Sequence, residues 1–510
     1  MTKKIIKTMP PVTKAVYQTL ILLLLCSYAY SGEPASLTIL HTNDIHGQFL
    51  PLKATWLEDQ PEIGGFEALS YYVEREREQA SNSLLLDAGD LMTGSMICEI
   101  EHKGAYGGAL VDMMNHIGFD AMVPGNHEFD ISVTNLRALE SIANFPILCA
   151  NMSKGNGQLT EEAYHIYEVG PVRVGVIGLT CYPMRGMVSD PNLEGFDSTE
   201  PELIIDSLII SIDPLTDVII ILSHMGIEYD RRMAERTKGL DLIVGGHSHA
   251  ELFEPERVNG VLIVQAGSKS RYLGRIDLTI EGDSVAAYDA ELIPMFTEII
   301  QPDPEISAMV SQFRNKIDKR YGRVIGKTEK RWENSTGKET ELGRWLTDVL
   351  NRRLYTDIAV INSGAIRKEL GPGEITIADI EEMLPFNNQI VTFGCTGRQL
   401  QSIAEQNISA GAEGYIYPMY ISGMTCLWRQ EDSTREIAKL LINGEPIDSN
   451  RIYQVASIDY MVIYNSERYF GYKIKAYIKT NYSLPDLIID DIEKHGIPEG
   501  KPGARFKKLN

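Results

Sequence analysis

Five times between residues 36 and 250, a short apolar run is followed at once by a knot of histidine, aspartate, asparagine and glycine. Leu37–Leu40 leads to Asp44-Ile45-His46, Leu84–Leu86 to Asp87-Ala88-Gly89-Asp90, and Ala121–Val123 to Gly125-Asn126-His127-Glu128-Phe129-Asp130. Val218–Leu222 leads to Ser223-His224, and Leu242–Val244 to Gly245-Gly246-His247-Ser248-His249. A sixth run, Val174–Ile177, keeps the same rhythm of strand, turn and helical stretch. Strands apolar along nearly their whole length are covered on both faces, so this half of the chain reads as an α/β layered sheet. In such sheets ligands gather just beyond the carboxyl ends of the strands. A lone histidine after a strand is ordinarily a cap or a core residue. Five such clusters in succession are not explained that way.

Neutral imidazoles and carboxylates suit borderline-hard divalent ions such as zinc, manganese or iron, and a carboxylate can bridge two of them. Seven donors stand at these strand ends: Asp44, His46, Asp90, Asn126, His224, His247 and His249. That is more than one ion takes from protein while leaving a position for substrate, so two metals is the better count. No G-x-S-x-G supports a serine nucleophile and no Walker A pattern is present.

A chain of 510 residues exceeds one compact core. Lys3, Lys4, Lys7 and Lys14, the apolar run Leu20–Cys26 and the small residues Ala29 and Ser31 mark residues 1–31 as a secretory signal peptide, cleaved near Gly32. The expected location is therefore periplasmic or extracellular, without stable membrane insertion after cleavage. Gln301-Pro302-Asp303-Pro304 breaks the strand–helix rhythm, and a helix follows with Ile306, Met309, Val310, Phe313 and Ile317 along one face. From Arg323 the composition changes: of the ten histidines only His495 lies beyond residue 250. The formal charge of −22 disfavours binding a nucleic-acid backbone over a wide face, whereas a metal can invert the field locally for a small anion. The five cysteines beyond the signal peptide are odd in number, widely spaced and without CxxC, which supports neither a disulfide scaffold nor a cysteine-ligated zinc and reads as buried apolar residues.

The order D-x-H, G-D, G-N-H-E, H and G-H-x-H resembles the metallophosphoesterase superfamily. Thr42-Asn43-Asp44-Ile45-His46-Gly47 and Gly245-Gly246-His247-Ser248-His249 resemble more narrowly the secreted 5'-nucleotidase family, which includes bacterial UDP-sugar hydrolases. The resemblance covers nearly all of the mature chain. It implies an α/β architecture: a four-layer αββα metallophosphoesterase domain over 32–300, a linker helix over 301–322, and a C-terminal α/β nucleotide-binding domain over 323–510. It assigns one ion to Asp44, His46 and His249 and the other to Asn126, His224 and His247, with Asp90 bridging. Asp87 holds its turn on this reading. His127 and Asp130 are implied as a catalytic dyad outside the metal shell, their spacing of three allowing the carboxylate to orient the imidazole and keep it protonated. Asp130 as the cap of the next helix is the plainer alternative.

In the second half, Asn362-Ser363-Gly364-Ala365-Ile366-Arg367 and Leu384-Pro385-Phe386-Asn387-Asn388 resemble the family's nucleotide-binding segments. Asn362, Gly364 and Arg367 are then expected at the substrate, with Phe386 as one stacking ring. The family's second ring lies in a Gly-rich loop that here reads Asn465-Ser466-Glu467-Arg468-Tyr469-Phe470, which makes Phe470 the expected ring and Tyr469 its competitor. Lys338 stands where the family carries an arginine. The expected activity is release of phosphate from nucleoside 5'-monophosphates by a hydroxide formed between two cations. The alternatives are a 2',3'-cyclic phosphodiesterase or 3'-nucleotidase, a UDP-sugar or nucleoside di- and triphosphate hydrolase, a sulfur-ester hydrolase on the same scaffold, and a nucleotide-binding protein that has lost catalysis.

Overall fold

The apolar strands divide between two sheets rather than one. In the first half of the chain these are β1 (Ala35–Thr42), α1 (Phe66–Gln79), β2 (Ser83–Asp87), α2 (Gly108–Ile117), β3 (Ala121–Met122), β4 (Tyr164–Val169), β5 (Val172–Leu179), β6 (Val218–Ser223), α3 (Ile227–Arg236), β7 (Leu242–Gly245), β8 (Glu256–Val258), β9 (Val261–Val264), β10 (Tyr272–Ile280) and β11 (Val285–Pro294). One sheet runs β11-β10-β1-β2-β3 and the other β4-β5-β6-β7-β9-β8. The structure is a computed structural model that describes residues 34–509 apart from 55, 81, 336, 387, 410–418, 432–433 and 500–502. The expected signal peptide and Asn387 lie outside the described residues.

Side-chain alternation makes four layers from these two sheets. Leu37, Ile39, Leu84 and Leu86 of the first sheet meet Val174, Val176, Ile220, Leu222 and Val244 of the second in a central core. Their neighbours in sequence point the other way. Leu40 and Leu85 pack beneath α1 and α2 with Phe66, Leu69 and Met113, while Ile219, Ile221 and Ile243 pack beneath Ile205, Ile209 and Met233. A strand buried on both faces must be apolar at every position, which is why these runs carry no polar alternation.

Parallel pairing then aligns the strand ends. Thr42 of β1 sits beside Asp87 of β2, and Leu179, Ser223 and Gly245 stand in register across β5, β6 and β7. The loops that follow all leave from one edge of the sandwich.

Helix α4 (Pro304–Tyr321) links the halves. The Asp303 carboxylate accepts the backbone N–H groups of Glu305 and Ile306, each at 2.9 Å, and Pro304 opens the first turn, a start signal legible in Asp303-Pro304. Ile306, Val310, Phe313 and Ile317 bury against the first domain, with Met309 partly buried beside them. The C-terminal domain is built on β12 (Ile358–Asn362), β13 (Gln389–Thr396), β14 (Met419–Ser422), β15 (Ile452–Ile458) and β16 (Ile478–Ser483), in the order β14-β12-β15-β13-β16. Its core is separate and includes Trp345, Leu346, Ile361, Phe393 and Phe470. The molecule is thus a two-domain α/β protein with a helical linker region. Among the described residues, no helix is long and apolar enough to cross a membrane.

Candidate metal centre

The loops after β1 and β2 are laced together by backbone hydrogen bonds. Asp44 N–H donates to Gly89 O (2.8 Å), His46 N–H to Asp90 O (2.9 Å) and Gly47 N–H to Leu91 O (2.8 Å). Both turns rest on Asp87, whose carboxylate accepts from Thr42 Oγ1 (2.7 Å) and from Gly89 N–H (3.0 Å). Asp87 therefore holds the turn, as expected, and burial pushes its carboxyl up to about 8. Glycine is required at two positions by close approach. A Cβ on Gly125 would lie 2.2 Å from Asp90 Oδ1 and 2.6 Å from His224 Nε2, and one on Gly89 would lie 2.6 Å from Val123 O.

Asp44, His46, Asp90, His247 and His249 all adopt left-handed backbone, with φ between 51° and 70°. Each costs roughly 1–2 kcal/mol for a residue with a Cβ. Five such residues at one place show that the surrounding loops over-determine this geometry.

The side chains converge accordingly. His224 Nε2 lies 3.1 Å from Asp90 Oδ2, His249 Nε2 3.2 Å from Asp44 Oδ1, and His46 Nε2 3.1 Å from His249 Nε2. His46 Nε2 is also 3.9 Å from both Asp44 Oδ1 and Asp90 Oδ2. Asp44, His46 and His249 form one group with donor atoms within 4.8 Å of one another, Asp44, Asp90 and His224 form another, and His224 and His247 belong to a third. Asn126 is buried beside them.

The residues fit divalent cations on three observations. His46 Nδ1 lies 2.9 Å from Thr93 O and His224 Nδ1 lies 2.5 Å from Ala88 O. Donating to those carbonyls leaves the Nε2 lone pairs turned inward, the way metal-binding histidines are commonly oriented by the hydrogen bond of their other nitrogen. The Nε2 of fully buried His224 faces Asp90 Oδ2 at 3.1 Å without a hydrogen-bond geometry to it. The protonation states also suit. Burial holds His46 down to about 3 and His247 to about 4, so both are neutral donors. Burial opposes ionisation of Asp90, but His224, His127 and His46 outweigh it and keep the carboxyl well below its usual range. At His224 burial works against the cation, yet Asp90 and Asp44 raise it to about 10, so a divalent cation held between these carboxylates would take the place of its Nε2 proton.

Beside this cluster, His127 Nδ1 lies 2.6 Å from Asp130 Oδ2, which also accepts from Thr93 Oγ1 at 2.5 Å. The next helix is capped by Ser132, not by Asp130. Burial lowers the His127 value, but Asp130 and Asp90 more than offset this and raise it. Its Nε2 lies 4.0 Å from Asp90 Oδ2, in a donor group with His46 and Asp90, and 3.4 Å from Arg367 Nη2.

The second domain reaches the site here. Half-buried Phe386 stacks on His127 with ring centroids 5.9 Å apart at 27°, and the Arg367 guanidinium lies 5.7 Å from the Phe386 ring centre. Asn362 ends β12, its buried Oδ1 without a partner, and Gly364 lies in the short turn between it and Arg367. Phe470 does not join them. It is 0% exposed and packs on Phe393 with centroids 5.6 Å apart, and Tyr469 is buried too. The segment forms a short helix, Ser466–Phe470, that turns these rings into the core where a Gly-rich loop would leave a ring exposed. Lys338 is 70% exposed, its ammonium 3.8 Å from Glu333.

Three contributors were not singled out from sequence. Glu128, 1% exposed, accepts the backbone N–H of Asp90 (3.0 Å), Met92 (3.0 Å) and Gly125 (2.6 Å), tying two ligand loops together. Asn43 clamps Asp44 Oδ2 (2.7 Å) to Gly267 O (2.6 Å). Cys181 lies two residues beyond β5, with Sγ 3.6 Å from Asn126 Oδ1 and 3.7 Å from His247 Nδ1. The strand-then-polar-turn rule, applied to β5 as well, points to it.

Residues 37–251 match the calcineurin-like phosphoesterase family and residues 324–470 the 5'-nucleotidase C-terminal domain. The chain belongs to the calcineurin-like metallophosphoesterases of the 5'-nucleotidase type. It is 26% identical to Protein UshA of Yersinia enterocolitica, over 90% of this chain and 91% of that one. It is 28% identical to a 5'-nucleotidase of Vibrio vulnificus, over 74% and 77%. Its fold is that of a 5'-nucleotidase precursor from Thermus thermophilus, with a TM-score of 0.83, 24% identity, and 93% of this chain and all of that one covered. A sulfate thiohydrolase, SoxB, also from Thermus thermophilus, shares the fold with a TM-score of 0.77 and 18% identity, over 93% and 96%. With this family and these donor clusters, the protein is a metal-dependent phosphohydrolase.

Proposed function

We propose that this phosphohydrolase releases phosphate from nucleoside 5'-monophosphates outside the cytoplasm, using two divalent cations of the zinc or manganese kind. Asp44, His46 and His249 would hold one, Asn126, His224 and His247 the other, and Asp90 both. Two such cations lower the pKa of water and neutralise charge on phosphoryl oxygens. The chain's own residues do the rest. Glu128 and Asp87 fix the loops on which the donors stand. Asp130 keeps the His127 imidazole protonated and fixes its ring, so that Nε2 would meet the phosphoryl group as negative charge develops. Arg367 offers a planar fork to phosphate oxygens, and Phe386 offers a stacking face to the base.

One observation carries the nucleotide reading: Arg367 and Phe386 of the second domain arrive together at His127 of the first. A phosphate site alone would need no aromatic ring there. Export rests on the sequence of residues 1–31. The test is phosphate release from adenosine 5'-monophosphate, the 3'-monophosphate, the 2',3'-cyclic phosphate, a UDP-sugar, adenosine triphosphate and an aryl phosphate. The 5'-monophosphate should have the largest kcat/KM. A larger value for any of the others would replace this substrate assignment.

A further inference from the structure

The cluster at Asn126, His224 and His247 contains a fourth donor that the sister cluster lacks. Cys181 is 1% exposed, and its Sγ, with donor atoms of His224 and His247, falls within one group spanning no more than 4.8 Å. Sγ is 3.7 Å from His247 Nδ1 and 3.6 Å from Asn126 Oδ1. These separations have a meaning. A zinc ion holds sulfur at about 2.3 Å and nitrogen or oxygen at about 2.0–2.1 Å, so two such ligands at a tetrahedral angle lie about 3.6 Å apart. The thiol therefore stands along an edge of the polyhedron that His247 and Asn126 would share.

Ring orientation agrees. The Cδ2 edge of His247 faces Gly226, where a Cβ would come to 3.2 Å, and the Nδ1 edge faces Cys181. His224 Nε2, fully buried, lies 3.1 Å from Asp90 Oδ2 without a hydrogen-bond geometry to it, an arrangement suited to a cation held between the two. Among the described residues no sulfur accompanies Asp44, His46 and His249.

We propose that Cys181 is a ligand of the ion held by Asn126, His224 and His247, which makes the two positions chemically unequal and biases this one towards thiophilic metals such as zinc. Binding breaks the S–H bond, forms a sulfur–metal bond and releases the proton to solvent. It also ends the hydrogen bond that the thiol donates to His224 O at 2.9 Å. Soft sulfur favours zinc, iron or cobalt, whereas the oxygen- and imidazole-only position accepts manganese readily. The proposal rests on the two-cation reading above.

The test is to load the purified enzyme with cobalt(II) and record its absorption spectrum alongside the bound stoichiometry. Wild type should bind two equivalents and show an intense near-ultraviolet sulfur-to-cobalt charge-transfer band. Cys181→Ser should still bind cobalt, lose that band, and lose about tenfold or more of its preference for zinc over manganese. Two bound cobalt ions in wild type without the band would overturn the thiol ligand and leave it as a hydrogen-bond donor to His224. The same holds if the band survives in Cys181→Ser. Because the wild-type spectrum decides alone, a variant that fails to fold does not rescue the idea. Failure of wild type to bind cobalt at all would overturn the two-cation reading itself, a different result from binding without the band.

Discussion

The two domains contribute to this site in different ways. The first presents its donors from loops locked at strand ends, paying for left-handed backbone at five of them and fixing the imidazoles through backbone carbonyls. The second presents two residues, Arg367 and Phe386, from short turns, and turns the remaining expected ring, Phe470, into its own core. The difference teaches where each kind of function can vary. Cation binding and phosphoryl chemistry need many donors held in one geometry, so they sit on interlocked backbone. Choosing a base needs only a surface of suitable shape, which can be rebuilt from one ring to another without disturbing the chemistry.

Breaking the first domain should have the larger effects. Asp90→Asn weakens the carboxylate common to both proposed ions. A loss of several kcal/mol of charge stabilisation corresponds to roughly 10³-fold or more in kcat, checked by steady-state rates with bound metal measured in parallel. His127→Ala should cost roughly 10²–10³ in kcat, the scale of one lost transition-state donor. Its metal content should match wild type, and if metal is lost instead, His127 belongs to the metal shell.

The second domain should separate two rings that look alike in sequence. Phe386→Ala removes the half-buried ring proposed to stack on the base, a contact worth ~1–3 kcal/mol, so kcat/KM for adenosine monophosphate should fall roughly 5- to 150-fold while an aryl phosphate changes much less. Phe470→Ala leaves a core cavity and should lower stability by about 3–5 kcal/mol without discriminating between the two substrates per folded molecule. Equal losses on both substrates for Phe386→Ala would remove it from base recognition.

The smallest effect concerns pH. His127 is raised above its ordinary value because, although burial lowers it, Asp130 and Asp90 raise it further. Its cation is therefore present at low pH and lost as pH climbs through that raised value. Asp130→Asn removes the stronger of the two raising charges, so the alkaline fall of the kcat profile should move to lower pH. An unmoved limb would mean that another group sets it.

Much of the first domain was legible because its signals are local. A strand, a turn and a donor lie within ten residues of one another, and parallel pairing carries every such turn to the same edge. What escaped depends on tertiary approach. Glu128 lies inside the motif that names its neighbours, yet its role comes from reaching the backbone of Asp90 and Met92 in another loop. Cys181 reads as a core residue until β5 is seen to run parallel to β6, which ends at the His224 turn. Phe470 shows the converse. The motif supplied an aromatic at the expected place, but Ser466-Glu467-Arg468-Tyr469 without glycine folds as a helical turn and rotates the ring inward.

The central claim is that the first domain alone assembles a two-cation centre around Asp90. An X-ray structure of the zinc-loaded enzyme, with anomalous difference density recorded, tests it most directly. Two peaks are predicted, one among Asp44, His46 and His249 and one among Asn126, His224 and His247, with Asp90 between them. A single peak, or peaks away from these side chains, would contradict it.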